Sequence, residues 1–171
     1  MPGLTLVLMA GMPGTGKTTL ALALGRTFGW PVIDKDSLKS PLLTIGVSEE
    51  LTGPASYALL QEMGYDLLVR QHLSVILDSP GRFPAVLARV RDMTDQVGAQ
   101  LKIIRCVANR KLRNQRLIER IARPSQWTAN ADIDDEQERQ IFEHFPLSAL
   151  VLDTSRSFED CLAEAVEYLT V

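Results

Sequence analysis

Eight consecutive residues leave this chain little choice of architecture. Gly11-Met12-Pro13-Gly14-Thr15-Gly16-Lys17-Thr18 reads G-x-x-x-x-G-K-T and follows directly on an apolar run over residues 4–10. That run contains no turn residue, so it reads as a strand buried on both faces. Glycines then let the backbone curl so that successive N–H groups point inward at phosphate oxygens. A helix opening at Thr18 adds its positive end. Lys17 is spaced to reach β- and γ-phosphates, and the Thr18 hydroxyl to coordinate Mg²⁺. With Thr19, the eight residues form the expected nucleotide cradle. The loop predicts a nucleoside triphosphate but not the fate of its γ-phosphate.

The rest of the composition narrows the field. At 171 residues, one domain spanning residues 1–171 is expected. With 46% hydrophobic and 23% charged residues, extensive disorder is excluded. The net charge is −3, which argues against a chain-wide nucleic-acid or membrane-surface binder. No apolar run approaches the ~20 residues of a membrane span. The run at 4–10 lacks a basic lead and meets glycines at once, so it is not read as a signal peptide. Cys106 and Cys161 are far apart, fit no metal spacing and sit in apolar stretches, as small core residues do. A reduced, cytoplasmic protein is expected.

Strand and helix patterns alternate along the chain. Residues 18–28 read as a helix, with Leu20, Ala21, Leu24 and Phe28 on one face, ended by Gly29 and Pro31. Strands are expected at 31–34, 73–78, 101–107 and 149–153. Helices are expected at 51–70, 83–97 and 111–122, with an acidic helical segment at 132–144. Ser157-Phe158-Glu159-Asp160 resembles a capping box opening the last helix. This alternation predicts an α/β fold, a five-stranded parallel sheet with helices on both faces. Residues 110–145 form a long charged excursion, expected to be a helical lid.

A phosphate loop at the N-terminus, followed by Asp34-Lys35-Asp36 after the second strand, resembles the small P-loop kinases. These include the shikimate, gluconate and chloramphenicol kinases, the adenylate-kinase-like enzymes and the kinase domain of polynucleotide 5′-kinases. The resemblance implies a P-loop NTPase fold of the nucleoside-monophosphate-kinase kind, with ATP and Mg²⁺ as cofactors. Residues two apart on an extended chain point the same way, so Asp34 and Asp36 are both expected to face the γ-phosphate. In such kinases an Asp here accepts the proton of the attacking hydroxyl. Asp36 is assigned that role and Asp34 is placed on Mg²⁺-bound water or substrate, with the reverse assignment open. Asp36 is also read as a possible N-cap of a following helix. Lys39 stands where the polynucleotide-kinase branch has an arginine, and it is a substrate candidate.

Asp78 closes the third strand in the Walker B manner and is a metal candidate; Arg82, in the turn beyond it, is a substrate candidate. From Arg105 to Arg123 seven basic residues face one acid, Glu119, a local funnel for polyphosphate. Arg116 and Arg120 match the R-x-x-x-R of adenylate-kinase-like lids, which implies adenine packing for the first and phosphate contact for the second. Their i, i+4 spacing places them on one helix face. Arg113 and Arg123 are reserve candidates, and the alternative is a basic face paired with the acidic segment. Thr154, after the fifth strand, is expected near the nucleotide base. His72 and His144 receive no role, and Trp30 and Trp127 read as packing residues, Trp127 alternatively as a lid shield. The resemblance implies phosphoryl transfer from Mg·ATP to a small hydroxyl-bearing molecule. An NTP hydrolase or switch, a nucleotide-binding subunit without chemistry, and a nucleotide or polynucleotide 5′-kinase are the alternatives. Asp78-Ser79-Pro80-Gly81 stands where shikimate kinases carry a glycine triplet, which counts against shikimate.

Overall fold

All six residues of β1, Thr5–Ala10, are buried, because this strand lies in the middle of the sheet with helices on both sides. A computed structural model describes residues 3–126 and 135–171. The strands β1, β2 (Val32–Asp34), β3 (Val75–Asp78), β4 (Gln100–Val107) and β5 (Leu150–Asp153) form one sheet in the order β2-β3-β1-β4-β5. Every pairing is parallel. Parallel neighbours need crossover connections, which the helices supply: α1 (Lys17–Phe28), α2 (Lys35–Thr44), α3 (Glu49–Tyr65), α4 (Pro84–Val97), α5 (Arg110–Glu119), α6 (Asp135–Ile141) and α7 (Phe158–Thr170).

The period-two alternation of β1 divides the core in two. Leu6 and Leu8 pack with Leu60, Val86, Val90 and Met93, from α3 and α4. Val7 and Met9 pack with Leu20 and Leu24 of α1 and with Cys161, Ala165 and Leu169 of α7. Both faces of the strand are therefore apolar, which produces the unbroken hydrophobic run in the sequence. Cys106 and Cys161 are free and buried. Trp30 stacks on Phe28 with ring centroids 4.6 Å apart.

The register places chemistry at one edge. Met9 is level with Asp78, and Asp78 is level with Asp34. The carboxyl ends of β1, β3 and β2 thus set both aspartates beside the start of the phosphate loop, at the end of a parallel sheet where ligands bind.

Several expectations shift. Residues 35–44, outside the elements expected above apart from the helix that Asp36 would cap, form α2. Its N-cap is Asp34, whose Oδ1 accepts the Asp36 N–H at 2.9 Å, so the capping role falls to Asp34 and not to Asp36. The helix expected at 51–70 is α3 followed by a π-turn, Asp66–Arg70, in which the Gln71 N–H reaches back five residues to Asp66 at 2.9 Å. The strand expected from 73 begins at Val75, because the Leu73 N–H is spent on the Leu67 carbonyl. The basic helix ends at Glu119, and Arg120 leaves it in an extended conformation. Within the acidic segment α6 covers Asp135–Ile141. Residues 132–134 and Trp127 lie outside the described residues. Among those residues, no helix is long and apolar enough to cross a membrane.

Candidate active site

The phosphate loop is built by contacts that only glycine permits. Gly11 has φ 133°, and a Cβ there would meet the Cys106 carbonyl oxygen at 2.3 Å. Its N–H is held by the Pro80 carbonyl at 3.1 Å, which ties the loop to the turn after β3. Gly14 has φ 82°, and a Cβ there would stand 2.7 Å from the Arg113 carbonyl oxygen. The backbone of α5 lies directly against the loop, and a side chain at position 14 would lift it off.

Inside the loop, Thr15 Oγ1 donates to the Met12 carbonyl at 2.8 Å, and Lys17 Nζ donates to the same oxygen at 2.9 Å. The Met12 carbonyl therefore anchors both the threonine and the lysine. Burial depresses the Lys17 pKa, while the negative charges of Asp78 and Asp36 work the other way. A cavity of about 940 Å³ opens over the loop, lined by Gly11, Met12, Pro13, Gly14, Gly16, Lys17, Thr18 and Thr19. Thr15 is fully buried and does not line it; its side chain serves the turn.

Asp78 forms the floor. It is 2% exposed, and its Oδ2 has no hydrogen-bond partner among the described residues. Burial raises its pKa to about 6 against the opposing effects of Lys17 and of a Thr18 hydrogen bond. A buried carboxylate oxygen without a partner is costly unless something binds it. Beside a threonine hydroxyl and a phosphate cradle, that oxygen fits a hard divalent cation. Among the described residues no group of three or more His, Cys, Asp or Glu side chains is gathered to hold a metal alone. Magnesium does not require such a cage, since it takes one or two carboxylates with phosphates and water.

Asp34 and Asp36 both line the cavity, but for a different reason than strand alternation, since Asp36 sits in the first turn of α2. Asp34 Oδ2 accepts from Ser37 Oγ and from Arg123 Nη1. With Oδ1 on the Asp36 N–H, both of its oxygens are engaged. Asp36 Oδ1 accepts from Ser125 Oγ at 3.2 Å and lies 3.4 Å from Lys35 Nζ. Lys39 and Arg82 line the same cavity.

The arginines separate by role. Arg116 and Arg120 line the cavity, although Arg120 is outside the helix that was to align them. Arg116 donates to the Gly14 carbonyl at 3.3 Å, to Thr154 Oγ1 at 3.0 Å and to the Thr154 carbonyl at 2.7 Å. Thr154 Oγ1 in turn donates to the Thr15 carbonyl at 2.8 Å. Thr154 and Arg116 thus clamp the phosphate loop to the β5–α7 turn. Burial lowers the Arg120 pKa, and the charge of Asp36 works the other way. Arg113 does not line the cavity: it is buried and donates to Glu138 at 3.0 Å, and Arg105 donates to the other Glu138 oxygen at 3.4 Å. Part of the basic funnel is therefore consumed by the acidic segment. Arg123, the other reserve candidate, pairs with Asp34.

Tyr57, Gln61, Phe83 and Ser125 are among the cavity-lining residues that belong to no motif. Positions 53, 57 and 61 are each four apart, one face of α3, which is the signal the sequence offers for Tyr57 and Gln61.

A parallel α/β sheet with a glycine loop gripping the first helix, and an acidic residue closing the adjacent strand, defines the P-loop nucleoside-triphosphatase architecture. The chain belongs to the AAA domain family, whose model matches residues 6–145. No curated protein matches. Solved structures share the fold at low identity. A candidate kinase from Chloroflexus aurantiacus j-10-fl aligns with TM-score 0.74 and 21% identity over 98% of this chain and 97% of its own. A sugar kinase from Janibacter sp. HTCC2649 aligns at 0.68 and 16%, over 99% and 96%. The Mycobacterium tuberculosis APS kinase, in complex with AMPPNP and APS, aligns at 0.67 and 17% over the whole of both chains. The fold is thus that of the small P-loop kinases.

Proposed function

We propose that this chain transfers the γ-phosphoryl group of ATP to a hydroxyl of a small molecule. One observation carries the reading: the phosphate loop, the unpartnered Asp78 oxygen and the Asp36 carboxylate converge on one cavity with Arg120 beside them. The structural neighbours named as sugar and APS kinases support it.

The loop amides and Lys17 hold the phosphates of ATP, and Arg116 with Thr154 keeps the loop in shape. Thr18 and Asp78 are the residues that would hold Mg²⁺, which when bound neutralises phosphate charge. Asp36 accepts the proton of the substrate hydroxyl as its oxygen bonds to the γ-phosphorus; the bond to the β–γ bridging oxygen breaks, and ADP leaves. Asp36 is favoured over Asp34 as base because both Asp34 oxygens are already engaged. Lys17 and Arg120 balance the charge on the phosphoryl group in transit. The excursion over residues 110–145 acts as the lid that excludes water.

The test is ADP release by the full chain with Mg·ATP, with and without a metabolite library. Release that needs an acceptor is the expected result, and equal release without one makes the protein a hydrolase. Lys17→Ala and Asp36→Asn should each lower acceptor-dependent turnover by about 10²–10⁴-fold, Asp36→Asn with ATP binding retained. Near-normal turnover in Asp36→Asn removes it as the base.

A further inference from the structure

The cavity has a second end, away from the clamp that Arg116 and Thr154 make on the β5 side. It is walled by α2, α3 and the start of α4, beside β2 and β3. Tyr57 and Gln61, one α-helical turn apart on α3, face it. The Tyr57 ring meets Phe83 edge-on, with centroids 5.4 Å apart and planes at 83°. Lys35 Nζ lies 5.4 Å from the Tyr57 centroid, and an edge-on aromatic pair lining a cavity favours a ring over an open chain.

The charges of this end do not cancel. Asp34 is taken by Arg123, and Asp36 pairs with Lys35. Lys39 and Arg82 also line the cavity, and among the described residues neither has a carboxylate partner. Arg82 is exposed and lies over the Phe83 ring, Cζ 4.9 Å from its centroid, which keeps its guanidinium beside the aromatic pair. Its charge acts on the Tyr57 hydroxyl. An arginine stacked on an aromatic ring and a lysine lining the same cavity can both reach an oxyanion carried by a ligand bound there.

Resting on the kinase reading, we propose that the acceptor is a hydroxyl-bearing ring compound carrying a carboxylate or phosphate group. Its ring lies against Tyr57 and Phe83, its oxyanion lies between Arg82 and Lys39, and Gln61 hydrogen-bonds a polar ring substituent. Burial pushes the Tyr57 hydroxyl up to about 12, so it remains a neutral donor throughout the physiological range and does not repel the anion.

Calorimetric titration of the full chain saturated with Mg·AMPPNP tests this, since the nucleotide then blocks the phosphate loop. The probes are benzoate and phenyl phosphate, their neutral counterparts benzamide and phenol, and their ring-free counterparts acetate and methyl phosphate. At least one of the two anionic ring probes should bind tenfold or more tightly than both of its counterparts, and which one does so tells carboxylate from phosphate. The Arg82→Gln/Lys39→Gln double variant should lose the preference for charge, and Phe83→Ala the preference for the ring. Equal binding of charged and neutral probes, equal binding of ring and ring-free anions, or selectivity that survives these substitutions would overturn the proposal while leaving nucleotide binding intact. Absence of any heat with Mg·AMPPNP itself would instead remove the kinase reading, and this inference with it.

Discussion

Asp78 shows how one side chain is poised for a ligand. In the unfolded chain its carboxyl ionises near 3.8, and in the folded protein near 6. Its folded pKa is raised, so its contribution to stability is whole below pH 3.8 and is lost as pH climbs through about 6. At about 1.4 kcal/mol per pH unit, the loss approaches about 3 kcal/mol. Urea denaturation of the nucleotide-free protein at pH 5.0 and 7.5 should show about half of this step, and Asp78→Asn should flatten it. Identical pH slopes in the two proteins would mean that Asp78 is not held in a proton-retaining site. The sequence already marked Asp78, because an acid closing an apolar strand is a visible pattern. It marked Asp34 and Asp36 equally, yet their division of labour was hidden. Asp34 caps α2 and holds Arg123, and a cap cannot be assigned until the helix it opens is known.

At the scale of elements, the chain beyond α5 is fastened to α2. Arg123 donates to Asp34 and to Ser37 Oγ, while Ser125 Oγ accepts from Ser40 Oγ at 2.9 Å and donates to Asp36. These links join residues more than eighty positions apart and bring the proposed lid onto the two carboxylates. Each hydrogen bond adds about 0.5–1.5 kcal/mol, so the latch is stabilising yet reversible. Arg123→Ala/Ser125→Ala should speed tryptic cleavage after Arg120 about tenfold. Mg·AMPPNP should restore part of the protection. Unchanged cleavage would show that these contacts do not hold the segment down. The basic composition of α5 was legible in the sequence, but the capture of Arg105 and Arg113 by Glu138 was not, since the pairing depends on where α6 returns.

For the whole molecule, the loop, the Asp78 floor and the β5–α7 clamp come from distant parts of the chain and meet only in the folded sheet. A ligand bridging them stabilises the native state by mass action. Mg·ATP at a hundred times its dissociation constant should add about 2.7 kcal/mol, or a rise in Tm of roughly 5–10 °C for a chain of this size. Calorimetric scans with and without Mg·ATP measure it, and Lys17→Ala should abolish most of the shift. A Tm that ignores Mg·ATP would contradict a nucleotide site across these elements.

Much of this architecture could be read from local pattern alone. The buried strand, the glycine loop, the βα alternation and the acid ending β3 each obey a short-range rule, whether strand period, helix period or the φ freedom of glycine. Those rules act between near neighbours and survive without coordinates. The contents of the cavity were settled otherwise. Tyr57, Gln61, Phe83 and Ser125 belong to no motif, and Arg113 and Arg116 look alike in the sequence. One is buried against Glu138 and the other clamps the phosphate loop. Which charge is neutralised and which is left facing the cavity is a matter of distance in space, and chain folding alone sets those distances.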